Sequence, residues 1–197
     1  MIFLNKIQKL LDEYENCSCA VRDKAFLYGI CSQSPPIANH IVYEPMLECE
    51  IMNLIDDYKR VIPAELLTLY RFMNGADLFW TVRMIGKKAR IPICRLSIYG
   101  VPLTCDRMHL EPFNIRIEDL NRPNNTPDSW LKFGSYYSPT VTDIRFDLFV
   151  DTESLVVFAV KNGCNVCCIE KSWNSIDCCL CCLLDEQIKG NVGDGFA

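Results

Sequence analysis

Helical periodicity up to Gly75, strand-like patterning from there to about Ile169, and one helix-length apolar stretch at the end predict an α+β domain. The expected architecture is N-terminal helices, a mainly antiparallel sheet of about five to seven strands, and one closing C-terminal helix. No long alternation of strand and helix appears, which argues against a doubly wound nucleotide-binding fold.

Taken in order, Ile7, Leu10, Leu11 and Tyr14 share the i, i+3, i+4, i+7 spacing of one helix face, so Asn5–Glu15 is predicted helical. Val21–Ile30 is read as a second short helix, and Ser32-Gln33-Ser34-Pro35-Pro36 as a loop. A further helix is expected from Glu44-Pro45, carrying Leu47, Ile51, Leu54, Ile55 and Tyr58. The next has Pro63 at N1 and Glu65 in its first turn, where a carboxylate meets the positive end of the helix dipole. On that register Val61 and Leu66 form a hydrophobic staple, Ile62 is a poor N-cap, and Asn74-Gly75 ends the helix. Strands are then expected at Leu78–Met84, Ile91–Tyr99, Phe113–Ile117, Trp130–Tyr136, Ile144–Asp151, Leu155–Val160 and Asn165–Ile169. Asn121–Pro127 reads as a loop, Asp151–Ser154 as a hairpin turn and Ser175–Lys189 as the closing helix. The organisation is therefore a helical extension over 1–43 packed on the domain, a main α+β domain over 44–189, and a flexible tail over 190–197.

With 197 residues, half of them hydrophobic, the chain is long enough to bury a core without staples. Its formal net charge is −5, and no run of Lys or Arg exceeds Lys87-Lys88. Proteins that follow phosphate backbones concentrate cations on one face, so nucleic acid is not an expected partner. The start lacks the pattern of a secretory signal, and the longest apolar run, Cys178–Leu184, is far short of a membrane span. A cytoplasmic location and no membrane partner are expected. The thirteen cysteines should then stay reduced and serve mostly as small apolar core residues.

One stretch carries a family pattern. Ile62-Pro63-Ala64-Glu65-Leu66-Leu67 is followed by Tyr70-Arg71-Phe72-Met73-Asn74-Gly75, then Leu78-Phe79, and later Ile98-Tyr99-Gly100. Trp130-Leu131-Lys132-Phe133-Gly134-Ser135, Ile144-Arg145-Phe146-Asp147 and Ser172-Trp173-Asn174-Ser175-Ile176 continue it. Over roughly residues 44–187 this order resembles the SUKH superfamily, which includes bacterial toxin-immunity proteins and fungal cell-wall synthesis regulators. The chain departs from that pattern in its N-terminal extension and in its cysteine-filled closing helix. The resemblance implies Pro63, Glu65, Asn74, Gly75, Tyr99, Gly100, Trp130, Gly134, Asp147 and Trp173 as structural motif positions. It also implies protein binding without shared catalytic machinery.

Several constellations compete with that reading. Cys164 and Cys167, and Cys179 and Cys182, form two CxxC pairs of the kind that hold tetrahedral zinc. The second pair falls on the expected closing helix beside Leu180, Leu183 and Leu184, so an apolar thiol core is the preferred reading and no cofactor is expected. A thiol enzyme needs a base near a lowered-pKa cysteine, and nothing in the spacing ties His40 or His109 to one. Asp56-Asp57, Glu118-Asp119 and Asp185-Glu186 read as solvated carboxylates, because adjacent residues do not face each other across a pocket. Trp80, Trp130 and Trp173 read as core packing, and Gly86-Lys87-Lys88 lacks P-loop spacing.

Together these features predict a non-catalytic module that binds a protein, with a basic toxin domain as the partner and no small-molecule substrate. A regulatory scaffold, a zinc-stabilised domain and a thiol enzyme are the alternatives.

Overall fold

The computed structural model describes residues 1–14, 19–22, 24–31, 37–57, 61–85, 89–101, 123–138 and 144–191. Among the described residues, nine strands form a single antiparallel sheet in chain order: β1 (Cys19–Arg22), β2 (Ala25–Cys31), β3 (Ile37–Tyr43), β4 (Ala76–Ile85), β5 (Ala89–Ile98), β6 (Trp130–Tyr137), β7 (Arg145–Asp151), β8 (Val157–Lys161) and β9 (Ile169–Trp173). Four helices of the described residues accompany it: α1 (Ile2–Asp12), α2 (Glu48–Asp57), α3 (Ala64–Phe72) and α4 (Ile176–Asn191). The α+β class and the closing helix hold, while the sheet is wider than the expected five to seven strands.

The extra width comes from the N-terminal segment. Val21–Ile30 is not a helix: β1 pairs with β2 from Cys19↔Tyr28 to Arg22↔Ala25, and β2 pairs with β3 from Ala25↔Tyr43 to Cys31↔Ile37. Gly29 sits at φ +66 between the pairs Tyr28↔His40 and Ile30↔Ala38, an irregularity that only glycine accepts cheaply. Through Val42↔Ala76 the N-terminal strands continue directly into β4, so segment 1–43 is helical only over α1 among the described residues.

α2 starts at Glu48 rather than at Glu44-Pro45 because the preceding donors are spent elsewhere. Glu44 N–H bonds to the Lys24 carbonyl and Met46 N–H to the Tyr70 carbonyl. Glu50 then accepts from Leu47 N–H at 2.7 Å, the N3 half of a capping box. α3 has Pro63 at its N-cap, one position earlier than expected. The expected staple fails with that shift: Val61 is 72% exposed, whereas Ile62 and Leu67, at N′ and N4, are the partly buried pair packed on the core. β8 and β9 also begin later than expected. Leu155 lies before β8 at φ +61, and residues 165–167 pair with Asn124 instead, through Asn124 N–H to Asn165 O and Cys167 N–H to Asn124 O. The expected strand Phe113–Ile117 and residues 192–197 of the expected tail lie outside the described residues.

The main core lies between the helices and one sheet face. Phe3, Ile7, Leu10 and Leu11 of α1, Leu66, Leu69 and Tyr70 of α3, and Ile176, Cys179, Leu180, Leu183 and Leu184 of α4 meet Leu78, Leu96, Phe133, Leu148 and Val157 from the sheet. A smaller cluster, Trp130, Phe149 and Val160 with Phe158 and Cys167, occupies the other face. Alternation along β7 separates the two, with Phe146, Leu148 and Val150 on the helix side and Phe149 opposite.

The helices cap one another. Glu65 at the start of α3 accepts from Ile176 N–H at 2.8 Å, and Asp177 at the start of α4 accepts from Ile2 and Phe3 N–H, both at 2.9 Å. Each carboxylate satisfies donors that a helix cannot satisfy internally and meets the positive end of its dipole. Lys6 and Asp185 add an ion pair at 2.6 Å between α1 and α4. Asp177→Ala should therefore cost about 1 kcal/mol. Amide exchange should accelerate first in α1, with the β4–β5 amides unchanged; uniform acceleration would show that α1 is held without this cap. No helix among the described residues is long and apolar enough to cross a membrane.

Candidate functional site

Most of the motif positions sit at joints of the fold. Asn74 is buried where β3, α3 and β5 converge, and its side chain brackets Val101: Nδ2 donates to Val101 O and Oδ1 accepts from Val101 N–H, each at 2.7 Å. Gly75 follows at φ +91, where a Cβ would lie 2.7 Å from Ile98 O, and Gly100 lies against the Asn74 backbone. At the Lys132/Gly134 register shift in β6, a Cβ on Gly134 would be 2.6 Å from Ser97 O. Pro63 caps α3 and Glu65 caps α4. Trp130 stacks on Phe158 at 4.3 Å in the smaller cluster, while Trp173 packs on the main core. The two indoles thus belong to different layers and do not form one stacking platform.

Tyr99 and Asp147 belong to a buried polar seam that crosses four strands. Register places Asp77 beside Ser97, Ser97 beside Ser135, and Ser135 beside Asp147, all four buried. Their strand neighbours Leu78, Leu96, Tyr136 and Phe146 fill the main core, so the seam lies on the face turned away from the helices. At one end, Asp147 is held by Lys132 Nζ and Asn162 Nδ2, each at 2.8 Å, and Arg145 donates to Tyr99 Oη at 2.7 Å and Ser135 Oγ at 3.1 Å. A buried carboxylate survives only with such donors, since desolvation otherwise outweighs the attraction. At the other end, Tyr43 Oη donates to Asp77 at 2.9 Å, and Cys94 Sγ lies 3.8 Å from it. Burial pushes the Asp77 carboxyl up to about 6, and the bonds from Tyr43, Ser97 and Cys94 oppose that rise. Burial and the nearby Asp77 charge also push the Cys94 thiol up, so it stays protonated and is a poor nucleophile.

His40 is elsewhere. It is buried between Tyr14 and Phe79, with ring centroids at 5.2 and 4.9 Å, and its Nδ1 accepts from Phe79 N–H at 3.3 Å. Burial lowers its pKa to about 4. Phe79 adopts φ +58 inside β4, a conformation rare for a bulky residue, and makes this contact there. His109 lies outside the described residues.

The thiol core is corrected. Of the cysteines placed, only Cys179 is buried; Cys19, Cys49, Cys168, Cys178 and Cys182 are exposed, and Cys94, Cys164, Cys167 and Cys181 are intermediate. The reason is helical phase. The buried stripe of α4 runs Ile176, Cys179, Leu180, Leu183, Leu184 and Gln187, and Cys178 and Cys182 fall off it. The CxxC pairs are also divided by the sheet, since Cys167 packs on the smaller cluster and Cys179 in the helix-covered core. Among the described residues, no group of three or more His, Cys, Asp or Glu side chains is placed to hold a metal ion.

On the outside, the apolar repeat expected for this helix is only partly covered in α2. Ile51 is buried, but Leu47, Met52 and Ile55 are 65%, 51% and 40% exposed. Leu47, Met52 and Ile55 form an apolar strip interspersed with exposed Glu48 and Asp56 and half-buried Glu50, with Arg71 paired to Glu48 at 2.7 Å; Val61, just before α3, is exposed as well. The apolar arc of α2 is wider than the body beneath it covers. Sequence periodicity marked that arc but not which part of it faces out.

No protein-family model, curated protein or solved structure matches the chain.

Proposed function

We propose that the protein is a non-catalytic protein-binding module of the SUKH type, acting in the cytoplasm as an immunity protein that occludes a basic toxin domain. The observation that carries the reading is the α2 strip, where exposed Leu47, Met52 and Ile55 lie among carboxylates, with Val61 exposed further along a chain of net charge −5. An apolar centre with a charged rim is the usual anatomy of a protein interface, and the acidic rim selects a basic partner. The motif positions support the reading in a second way, because Asn74, Gly75, Gly100 and Gly134 act as packing joints rather than as reacting groups.

Co-expression with toxin domains encoded beside the gene tests the proposal. Wild type should restore growth, and Leu47→Asp combined with Val61→Asp should weaken binding by roughly 10- to 100-fold without lowering thermal stability, since both side chains are exposed. Failure of the wild type against every adjacent toxin would refute the immunity role. Full protection by the double variant would remove α2 from the interface.

A further inference from the structure

We propose that Cys178 and Cys182, on the outer face of α4, form a two-coordinate site for a soft monovalent cation, with Cu(I) as the ion it selects. The two residues are one helical turn apart on α4, and both are exposed. The helix that carries them is firmly held. Its opposite side is the buried stripe described above, Ser175 Oγ accepts from Cys178 N–H at 3.0 Å, and Glu65 accepts from Ile176 N–H.

Helix geometry decides what such a pair can do. Residues at i and i+4 hold their Cβ atoms about 5–6 Å apart, whereas a disulfide needs about 3.5–4.5 Å. The pair therefore cannot close on itself without breaking the helix, and it persists as a dithiol. Zinc in a structural site takes four ligands, and the described residues gather no third donor here. Thiolate sulfur suits Cu(I), zinc and iron–sulfur clusters alike, and of these Cu(I) is the one that two thiolates suffice to hold, in linear coordination. Binding replaces two S–H bonds by two S–Cu bonds, releases two protons to water, and leaves one net negative charge on the site. The Lys6–Asp185 ion pair lies on the same stretch of α4, and exposure leaves the remaining charge to solvent.

Anaerobic titration of the reduced full chain against a chromogenic Cu(I) chelator tests the site. The wild type should withdraw one Cu(I) per chain. Cys178→Ser or Cys182→Ser should weaken binding by roughly 100-fold or more, with an unchanged circular dichroism spectrum. Cys49→Ser and Cys168→Ser, which remove exposed thiols elsewhere, should bind as wild type. Retention of one Cu(I) by the Cys178→Ser, Cys182→Ser double variant would overturn the proposal. So would no Cu(I) uptake by the wild type, or stoichiometric zinc binding that depends on Cys164 and Cys167.

Discussion

Gly100→Ala is expected to abolish stable folding, or to cost roughly 3 kcal/mol or more, at the upper end of overpacking effects. A Cβ there would overlap the Asn74 carbonyl oxygen and stand 2.7 Å from both the Asn74 carbonyl carbon and its Oδ1. None of these atoms can yield cheaply. The carbonyl is backbone, and Oδ1 is already committed to Val101 N–H. The joint also ties the end of β5 to the segment after α3, so separating its parts opens the main core. Gly163→Ala is the control, because no atom lies within 4 Å of its Cβ position. Its φ of +81 still costs about 1–2 kcal/mol. Urea unfolding of both variants gives the comparison. Equal losses at the two positions would mean that the contact with Asn74 relaxes at little cost around an added Cβ at position 100.

The second large effect concerns pH. Asp77 has a folded pKa of about 6, above the unfolded value near 3.8. Its stabilising contribution is therefore complete below about pH 4 and is lost as pH rises through 6. His40 has a folded pKa of about 4, below the unfolded 6.5. Its contribution is complete above 6.5 and is lost as pH falls through 4. Each shift is about two units, or about 3 kcal/mol at 1.36 kcal/mol per unit. Because the signs oppose, the two contributions nearly cancel between pH 4 and 6.5 in the native chain. Asp77→Asn leaves His40 unopposed, so stability relative to wild type should rise by about 3 kcal/mol across that range. His40→Asn keeps an acceptor for Phe79 N–H and should show the opposite slope. Parallel stability–pH curves for wild type and Asp77→Asn would show that the Asp77 carboxyl titrates normally in the folded chain.

Both predictions rest on features of unequal visibility. Asn74-Gly75 and Tyr99-Gly100 stand out in the sequence as motif dipeptides. Their contact does not, because residues 74 and 100 meet only after β4 and β5 have paired. Asp77, Ser97 and Ser135 carry no signal at all. Each is a lone polar residue in a strand, and only register aligns them into a seam with Asp147. The α2 strip was half visible: its apolar residues repeat at helical spacing, but spacing cannot tell a buried arc from an exposed flank.

Local periodicity was sufficient for α1, α3 and α4 and for the strand character of β4 through β8, since a side-chain pattern of 3.6 or 2 is imposed by the chain's own geometry. It failed at Val21–Ile30, where a short apolar run fits helix and strand alike and pairing with β3 decides. It also could not reveal that Glu65 caps α4 across 111 positions, or that Asp177 caps α1 across 175. The fate of the cysteines followed the same division. Their chemistry is written in the chain, but burial of Cys179 and exposure of Cys178 and Cys182 depend on which side of α4 the sheet occupies. Short-range order comes from neighbours a few bonds apart, whereas caps, seams and exposed faces come from surfaces that meet only when the whole chain is folded.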